Sequence, residues 1–382
     1  MKTTCWCILL LLFPSLMWAQ RTDTLSISSE AFGTERTIHV HLHEFHDYLA
    51  DDTKLPVFFV LDGQHEWFVE PTLTTIEYLQ YTHEIPMAIV VVIPINDRFK
   101  EMGIKGYSEE LLPLHRFITE EIPAALEAYP IGDFRLLIGH SFAASFSLYS
   151  YLNAPDFYSA IFAHTPADKL SLTMEQFVER EIDPSKVYLS IGGMNSAKDS
   201  YHRARYEKAK PAFPELFEAF TIYEADFSTH NAVPIVSNPL FFTWLFDGFS
   251  TRFSQILKVD DSYKLAEAPG TVEETLKQIN DILEAHNSIP MEIPEINGIA
   301  SKLWNSGYAD HTQAVYEQAA KWYPNYTDFQ YYLADLHLEK DPAKAKAYAE
   351  ESKRLLMTYD RHLEWYEDSL KDIEDLLKKL ED

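Results

Sequence analysis

Six short, almost wholly apolar runs constrain the fold of this chain more than any other feature: LPVFFVLDG (55–63), MAIVVVIPI (87–95), FRLLIGHS (134–141), YSAIFAHTP (158–166), KVYLSIGG (186–193) and FTIYEAD (220–226). A strand buried on both faces has no polar side to show, so it reads as a continuous apolar run rather than an alternation. Both faces are covered only when helices cross over between strands, and helical periodicity fills the gaps between these runs. In the segment 109–128, Leu111, Leu112, His115, Ile118, Ile122 and Leu126 fall on one side, the face that a crossover helix lays on a sheet. The expectation is a doubly wound, mostly parallel α/β sheet. Residues 24–45 alternate instead, with Ile38, Val40 and Leu42 on one face and Thr37, His39 and His41 on the other, which predicts an opening antiparallel hairpin. A helix over about 233–253, rich in Leu240, Phe241, Phe242, Trp244 and Leu245, closes this part.

Beyond residue 260 no strand-like run recurs, and acidic side chains outnumber basic ones about two to one. This part is expected to be all helical. Ile299, Ala300, Leu303, Gly307, Tyr316, Ala319 and Pro324 are spaced like a tetratricopeptide repeat of ~34 residues. A weaker second unit follows from Tyr326, and an amphipathic helix over 359–380 would cap it; a generic helical bundle is the alternative. The expected division is a leader at 1–19, an α/β part at 20–253, a linker with a helix at 254–290, and a tetratricopeptide-like part at 291–382. The two folded parts are expected to be separable.

The first twenty residues join Lys2, an apolar run from Cys5 to Met17 and Ala19 at a plausible cleavage point, the pattern of a secretory signal peptide. The run falls short of the ~20 residues that a bilayer span needs. Both cysteines, Cys5 and Cys7, lie in this leader, so thiol catalysis is excluded for the processed chain. A secreted or periplasmic location follows. The net charge of −27 would be repelled by phosphate backbones, which argues against nucleic acid as a partner.

The richest stretch chemically is FRLLIGHSFAASFSL, where an apolar strand runs into Gly139-His140-Ser141-Phe142-Ala143 and then a helix. That context is a nucleophile elbow, whose tight turn demands small residues two before and two after the serine. The alternative is a serine that merely caps a helix. An elbow serine needs a base late in the chain, after the last strand, and His230 in STHNAVP is so placed. The acid is expected after KVYLSIGG, where Asn195 comes first and Asp199 is the nearest carboxylate. Asp199 could equally be a surface cap for the next helix, leaving a Ser–His dyad. Two backbone amides would hold the oxyanion, one from Phe142 and one from Gln64 in the turn after Asp62-Gly63. Arg98 in NDR could clamp an anionic group on the substrate or pair with Asp97, Glu101 or another acid. Trp67 and Phe68 could line an acyl pocket or simply pack their loop. The alternating His39, His41 and His43 look solvated, so no metal is assigned, and no glycine-rich phosphate loop appears, so no cofactor is assigned.

The VFFVLDG strand with Gln64-His65-Glu66-Trp67, the IPINDR segment, GHSFA, YLSIGG and THNAVP together resemble the Putative esterase family of α/β-hydrolases over roughly residues 22–253. That family includes esterase D (S-formylglutathione hydrolase), enterochelin-type siderophore esterases, feruloyl esterases and mycolyltransferases. The resemblance implies Ser141 as nucleophile, His230 as base, and the Gln64 and Phe142 amides as the oxyanion hole. Ala143 stands where the family more usually has Gly, and Asn195 precedes the acid. The expected function is a serine carboxylic-ester hydrolase on a small-molecule or glycan-linked ester, with the helical part docking a partner or a second copy. An acyltransferase on the same fold and an inactive binding protein working through its helical repeats remain open alternatives.

Overall fold

The computed structural model describes residues 21–107, 110–194 and 199–381. The expected leader, Cys5, Cys7 and Asn195 lie outside the described residues. β1 (Arg21–Ser29) and β2 (Thr34–Leu42) form the opening hairpin. Next come β3 (Leu55–Leu61), α1 (Glu66–Tyr81), β4 (Ile89–Ile93) and the short α2 (Arg98–Met102). A broken helix of α3 (Pro113–Arg116) and α4 (Ile122–Ala125) leads to β5 (Ile131–His140), α5 (Phe142–Asn153), β6 (Ala160–His164) and α6 (Leu170–Glu179). β7 (Val187–Gly192), α7 (Ser200–Ala212), α8 (Pro214–Ala219), β8 (Thr221–Ala225) and α9 (Val233–Leu245) complete this half.

The strands form one eight-stranded sheet in the order β1-β2-β4-β3-β5-β6-β7-β8. β2 meets β1 and β4 antiparallel, and every other pairing is parallel. This is the α/β-hydrolase sheet, with all six apolar runs as parallel strands. Alternate residues part cleanly between its faces. Val57, Phe59, Leu61, Ile89, Val91 and Ile93 enter one apolar cluster, while Phe58, Val60, Val90 and Val92 enter the other, as the two-residue period of a strand requires. α5 and the broken helix cover the first face; α1 and α9 cover the second.

Two helical expectations change in detail. The segment 109–128 is interrupted by a π turn at Phe117–Glu121, where the Ile122 N–H reaches back to the Phe117 carbonyl. Pro123 cannot donate and its ring crowds the preceding turn. The widened turn buries Leu114 and Phe117 beside His115, Ile118, Ile122 and Leu126, and leaves Leu111 and Leu112 half-buried. The closing helix ends at Leu245 rather than near 253, because Gly248 turns the chain with φ 77°.

The remainder contains α10 (Val272–Ala285), α11 (Ile293–Asn305), α12 (Ala309–Trp322), α13 (Thr327–His337), α14 (Pro342–Leu356) and α15 (Tyr366–Lys379), successive helices packing on one another from α11 onward. The apolar faces of α10 to α13 join the sheet's first cluster, since Ile279, Leu283, Met291, Ile296, Leu303, Val315 and Phe329 belong to it, while α14 and α15 build two small clusters around Ala349, Leu356, Ile373 and Leu376. Buried polar ties cross the same seam. The Arg252 guanidinium pairs with Glu295 at 2.6 and 2.8 Å and donates to the carbonyls of Ile289 and Pro290. Glu292 accepts from the Met87 N–H at 3.1 Å and meets His83 Nδ1 at 2.5 Å.

Candidate active site

Ser141 stands between β5 and α5 at φ 61°, ψ −115°. A non-glycine residue held there costs roughly 1–3 kcal/mol and persists only where its surroundings enforce it. The enforcement is local. A side chain at Gly139 would come within 2.6 Å of both the Ala143 carbonyl and Ser147 Oγ, so the strand and helix close on each other only over glycine. The Ser141 N–H donates to the His164 carbonyl at 2.8 Å, tying the turn to the neighbouring strand. Ala143 is fully buried, and its carbonyl rather than its methyl meets position 139.

The loop after β8 delivers His230, whose Nδ1 lies 2.9 Å from Asp199 Oδ1 and 3.0 Å from Thr165 Oγ1. Asp199 occupies the N-cap position of α7 yet caps nothing with its side chain. Its carboxylate is fully buried and points instead at histidines. Burial works to raise its pKa, but the close contacts of His202 and His230 and their charge outweigh that and hold it down at about 2. Gly192 is required by this carboxylate, since a side chain there would collide with it and with the Ser228 carbonyl. Among the described residues Asp199 Oδ2 has no hydrogen-bond partner.

His202, on α7, carries no motif that would mark it in the sequence. Its Nε2 lies 3.5 Å from Ser141 Oγ, and its Nδ1 lies 3.1 Å from Asp199 Oδ1 although the ring N–H is not aimed along that contact. Its ring stacks on His230 at 3.8 Å with planes 17° apart. His140 flanks the group from the other side, 4.4 Å from the His230 ring. Burial first, and the neighbouring His230 next, push the His140 pKa well down. Its Nε2 faces the His230 carbonyl at 3.0 Å; a carbonyl can only accept, so that nitrogen carries the proton.

The proposed oxyanion donors meet different conditions. The Gln64 side chain is occupied, with Oε1 accepting from Ile95 N–H at 2.7 Å and Nε2 donating to Asp62 Oδ1 at 2.9 Å. Among the described residues the main-chain N–H groups of Gln64 and Phe142 have no acceptor. Arg98 grips buried Asp62 through two bonds of 2.9 and 2.8 Å, while Glu101 is taken by Arg36 at 3.0 and 2.8 Å. Trp67 is half exposed and stands edge-on to His140 at 5.5 Å; Phe68 is buried. Asp62, Trp67, Phe68, Arg98, His140, Ser141 and His230 share one small cavity of about 90 Å³.

Asp199, His202 and His230 also bring three ligand-type atoms within 4.8 Å of one another. Imidazole binds a metal in its own ring plane at ~2.0–2.1 Å. Two planes stacked 3.8 Å apart do not meet at one such point, so the set fits proton sharing better than an ion.

A family model described as Putative esterase matches residues 29–219, a span that holds Ser141, Asp199 and His202 and stops before His230. No curated protein sequence matches the chain. Among solved structures, an IroE-like serine hydrolase from Shewanella oneidensis is similar in fold with a TM-score of 0.54 and 16% identity, covering 77% of this chain and 98% of its own. An uncharacterised protein from Capnocytophaga ochracea has a TM-score of 0.53 and 15% identity, covering 94% of this chain and 99% of its own. The second likeness therefore takes in the helical half as well as the sheet.

Proposed function

The chain belongs to the Putative esterase family, and from that premise we propose a serine carboxylic-ester hydrolase that works through an acyl-enzyme on Ser141. Ser141 Oγ attacks the ester carbonyl while an Asp199-held imidazole, that of His230, takes its proton. The N–H groups of Gln64 and Phe142 receive the charge that develops on the carbonyl oxygen. The protonated imidazole returns its proton to the leaving alkoxide, and water then repeats the cycle on the acyl group. The observation that carries this reading is the pairing of an enforced, strained serine with an Asp199–His230 bond of 2.9 Å, Ser141 and His230 lining the same cavity.

Arg98 belongs in this reading as the partner that fixes Asp62 at the start of the Gln64 turn, and Trp67 as a wall of the acyl site. The leader at 1–19 supports export, and among the described residues no helix is long and apolar enough to cross a membrane. A division of labour near residue 253 goes with it, the sheet half doing chemistry and the tetratricopeptide-like half meeting a partner. Labelling with a fluorophosphonate tests the centre of the proposal: the native chain reacts and Ser141→Ala does not, with ester turnover lost in parallel. Appreciable turnover by Ser141→Ala on its best ester would sink it.

A further inference from the structure

The imidazole within reach of the nucleophile in this structure belongs to His202, not His230. Its Nε2 is 3.5 Å from Ser141 Oγ, at the outer edge of a hydrogen bond, and such catalytic contacts commonly tighten only once substrate is bound. The placement follows from helix geometry. Asp199 stands at the N-cap position of α7 and His202 lies three positions on, so both side chains share one face of the helix. The loop after β8 then lays His230 flat against His202, and Asp199 Oδ1 is 2.9 Å from the His230 Nδ1 and 3.1 Å from the His202 Nδ1. Both rings are about one-sixth exposed, 16% and 15%, so neither is a surface histidine that happens to pass nearby.

We propose that His202 is a second catalytic imidazole, taking the Ser141 proton through Nε2 with His230 stacked behind it as the alternative acceptor; this rests on the esterase reading above. As Ser141 Oγ bonds to the ester carbonyl carbon, the serine O–H bond breaks and its proton passes to the imidazole. The carbonyl π pair moves to the oxygen. Collapse of that intermediate breaks the carbon–alkoxide bond, and the departing alkoxide takes the proton back, so no oxidant or further reactant is needed. Two imidazolium rings 3.8 Å apart on one carboxylate would repel each other, so the pair works with a single proton.

The test is a kinetic comparison of His202→Gln, His230→Gln, the double variant and Ser141→Ala, each checked for folding by thermal denaturation. General-base loss is typically worth ~10²–10⁴-fold. With two acceptors, each single variant should retain activity about tenfold or more above Ser141→Ala, and the double variant should fall to its level. His202→Gln should lower kcat and the fluorophosphonate labelling rate together while KM stays nearly unchanged. His202→Ala should be partly restored by imidazole added to the solution, which a packing defect would not be. Wild-type kcat and labelling rate in His202→Gln, or His230→Gln already at the level of Ser141→Ala, would overturn the proposal and leave the esterase reading standing. Activity surviving in Ser141→Ala would instead remove the reading on which it rests.

Discussion

Asp199 shows how one residue can satisfy two descriptions at once, since it occupies a helix cap yet spends its carboxylate on two imidazoles. Asp199→Asn keeps the shape and removes the charge that both rings share. The expected loss in kcat is ~10³–10⁴-fold, in line with removing the third member of a triad, and the melting temperature at neutral pH should fall too, since a carboxylate whose pKa is depressed in the fold stabilises it when ionised; a loss in kcat under tenfold would give the role to another carboxylate. Arg98 poses a second residue-scale question, because it lines the cavity while both its bonds go to buried Asp62. Arg98→Ala removes the only charged partner of buried Asp62 among the described residues and leaves it with the Gln64 amide, so a destabilisation of ~1–3 kcal/mol and a fall in kcat are expected. A rise in KM alone, with stability unchanged, would show that Arg98 holds substrate directly. Ser141 and Gly139 were legible in the sequence because the elbow is a local device, written within five residues. His202 was not, since three positions of helix separate it from Asp199 and nothing in that spacing announces the stacked partner from beyond β8.

At the scale of elements, the strand–turn–helix unit around Ser141 depends on the absence of one Cβ. Gly139→Ala would place that carbon 2.6 Å from the Ala143 carbonyl, and overpacking of this kind costs ~1–3 kcal/mol. Both melting temperature and activity should fall, and unchanged activity would show that the turn can relax without moving Ser141. Gly298, inside α11, is the control, because a Cβ added there would meet nothing within 4 Å; Gly298→Ala should raise stability by up to ~1 kcal/mol through helix propensity alone. The parallel strands inside the sheet were legible because burial on both faces leaves no other pattern for them, and half-buried β8 at the edge followed from its place after the last crossover. The π turn at Phe117–Glu121 was not, because Pro123 permits either a helix start or a widened turn, and the packing of Leu114 and Phe117 on the sheet decides between them.

At the scale of the whole molecule, the apolar cluster on one face of the sheet continues into helices α10 to α13. Ending the chain near Phe253 would uncover the face now shared with Ile279, Met291, Ile296 and Phe329 and would strip Arg252 and His83 of Glu295 and Glu292. The expected product is insoluble or loosely folded protein; a soluble fragment with full activity on a small ester would show that the seam contributes little. The seam also has a pH dependence. The hydrogen bond to Glu292 chiefly raises the His83 pKa above 6.5, and burial chiefly raises that of Glu292 above 4.5. Both groups bind protons more tightly folded than unfolded, so their contribution is fullest below the unfolded values and is lost as pH rises through the folded ones. The stability that the native chain holds over His83→Gln should therefore shrink as pH climbs past 6.5, and a difference in melting temperature that stayed constant or grew would show that the His83 pair does not titrate in this way.

By itself the sequence determined the sheet, the serine at its elbow and the helical character of the second half, because each is encoded by patterns that repeat or close within a few residues. Tertiary structure alone decided which groups meet: that Asp199 turns inward to two histidines, that Arg98 pairs with Asp62 while Glu101 goes to Arg36, and that the helices share the sheet's core. Apart from the pair Asp199 and His202, three positions apart on α7, those outcomes join residues dozens to hundreds of positions apart, and a carboxylate or an apolar helix face carries no local mark of its distant partner. Its choice is fixed only when burial strips away water and leaves each charge to the one group of opposite character within reach.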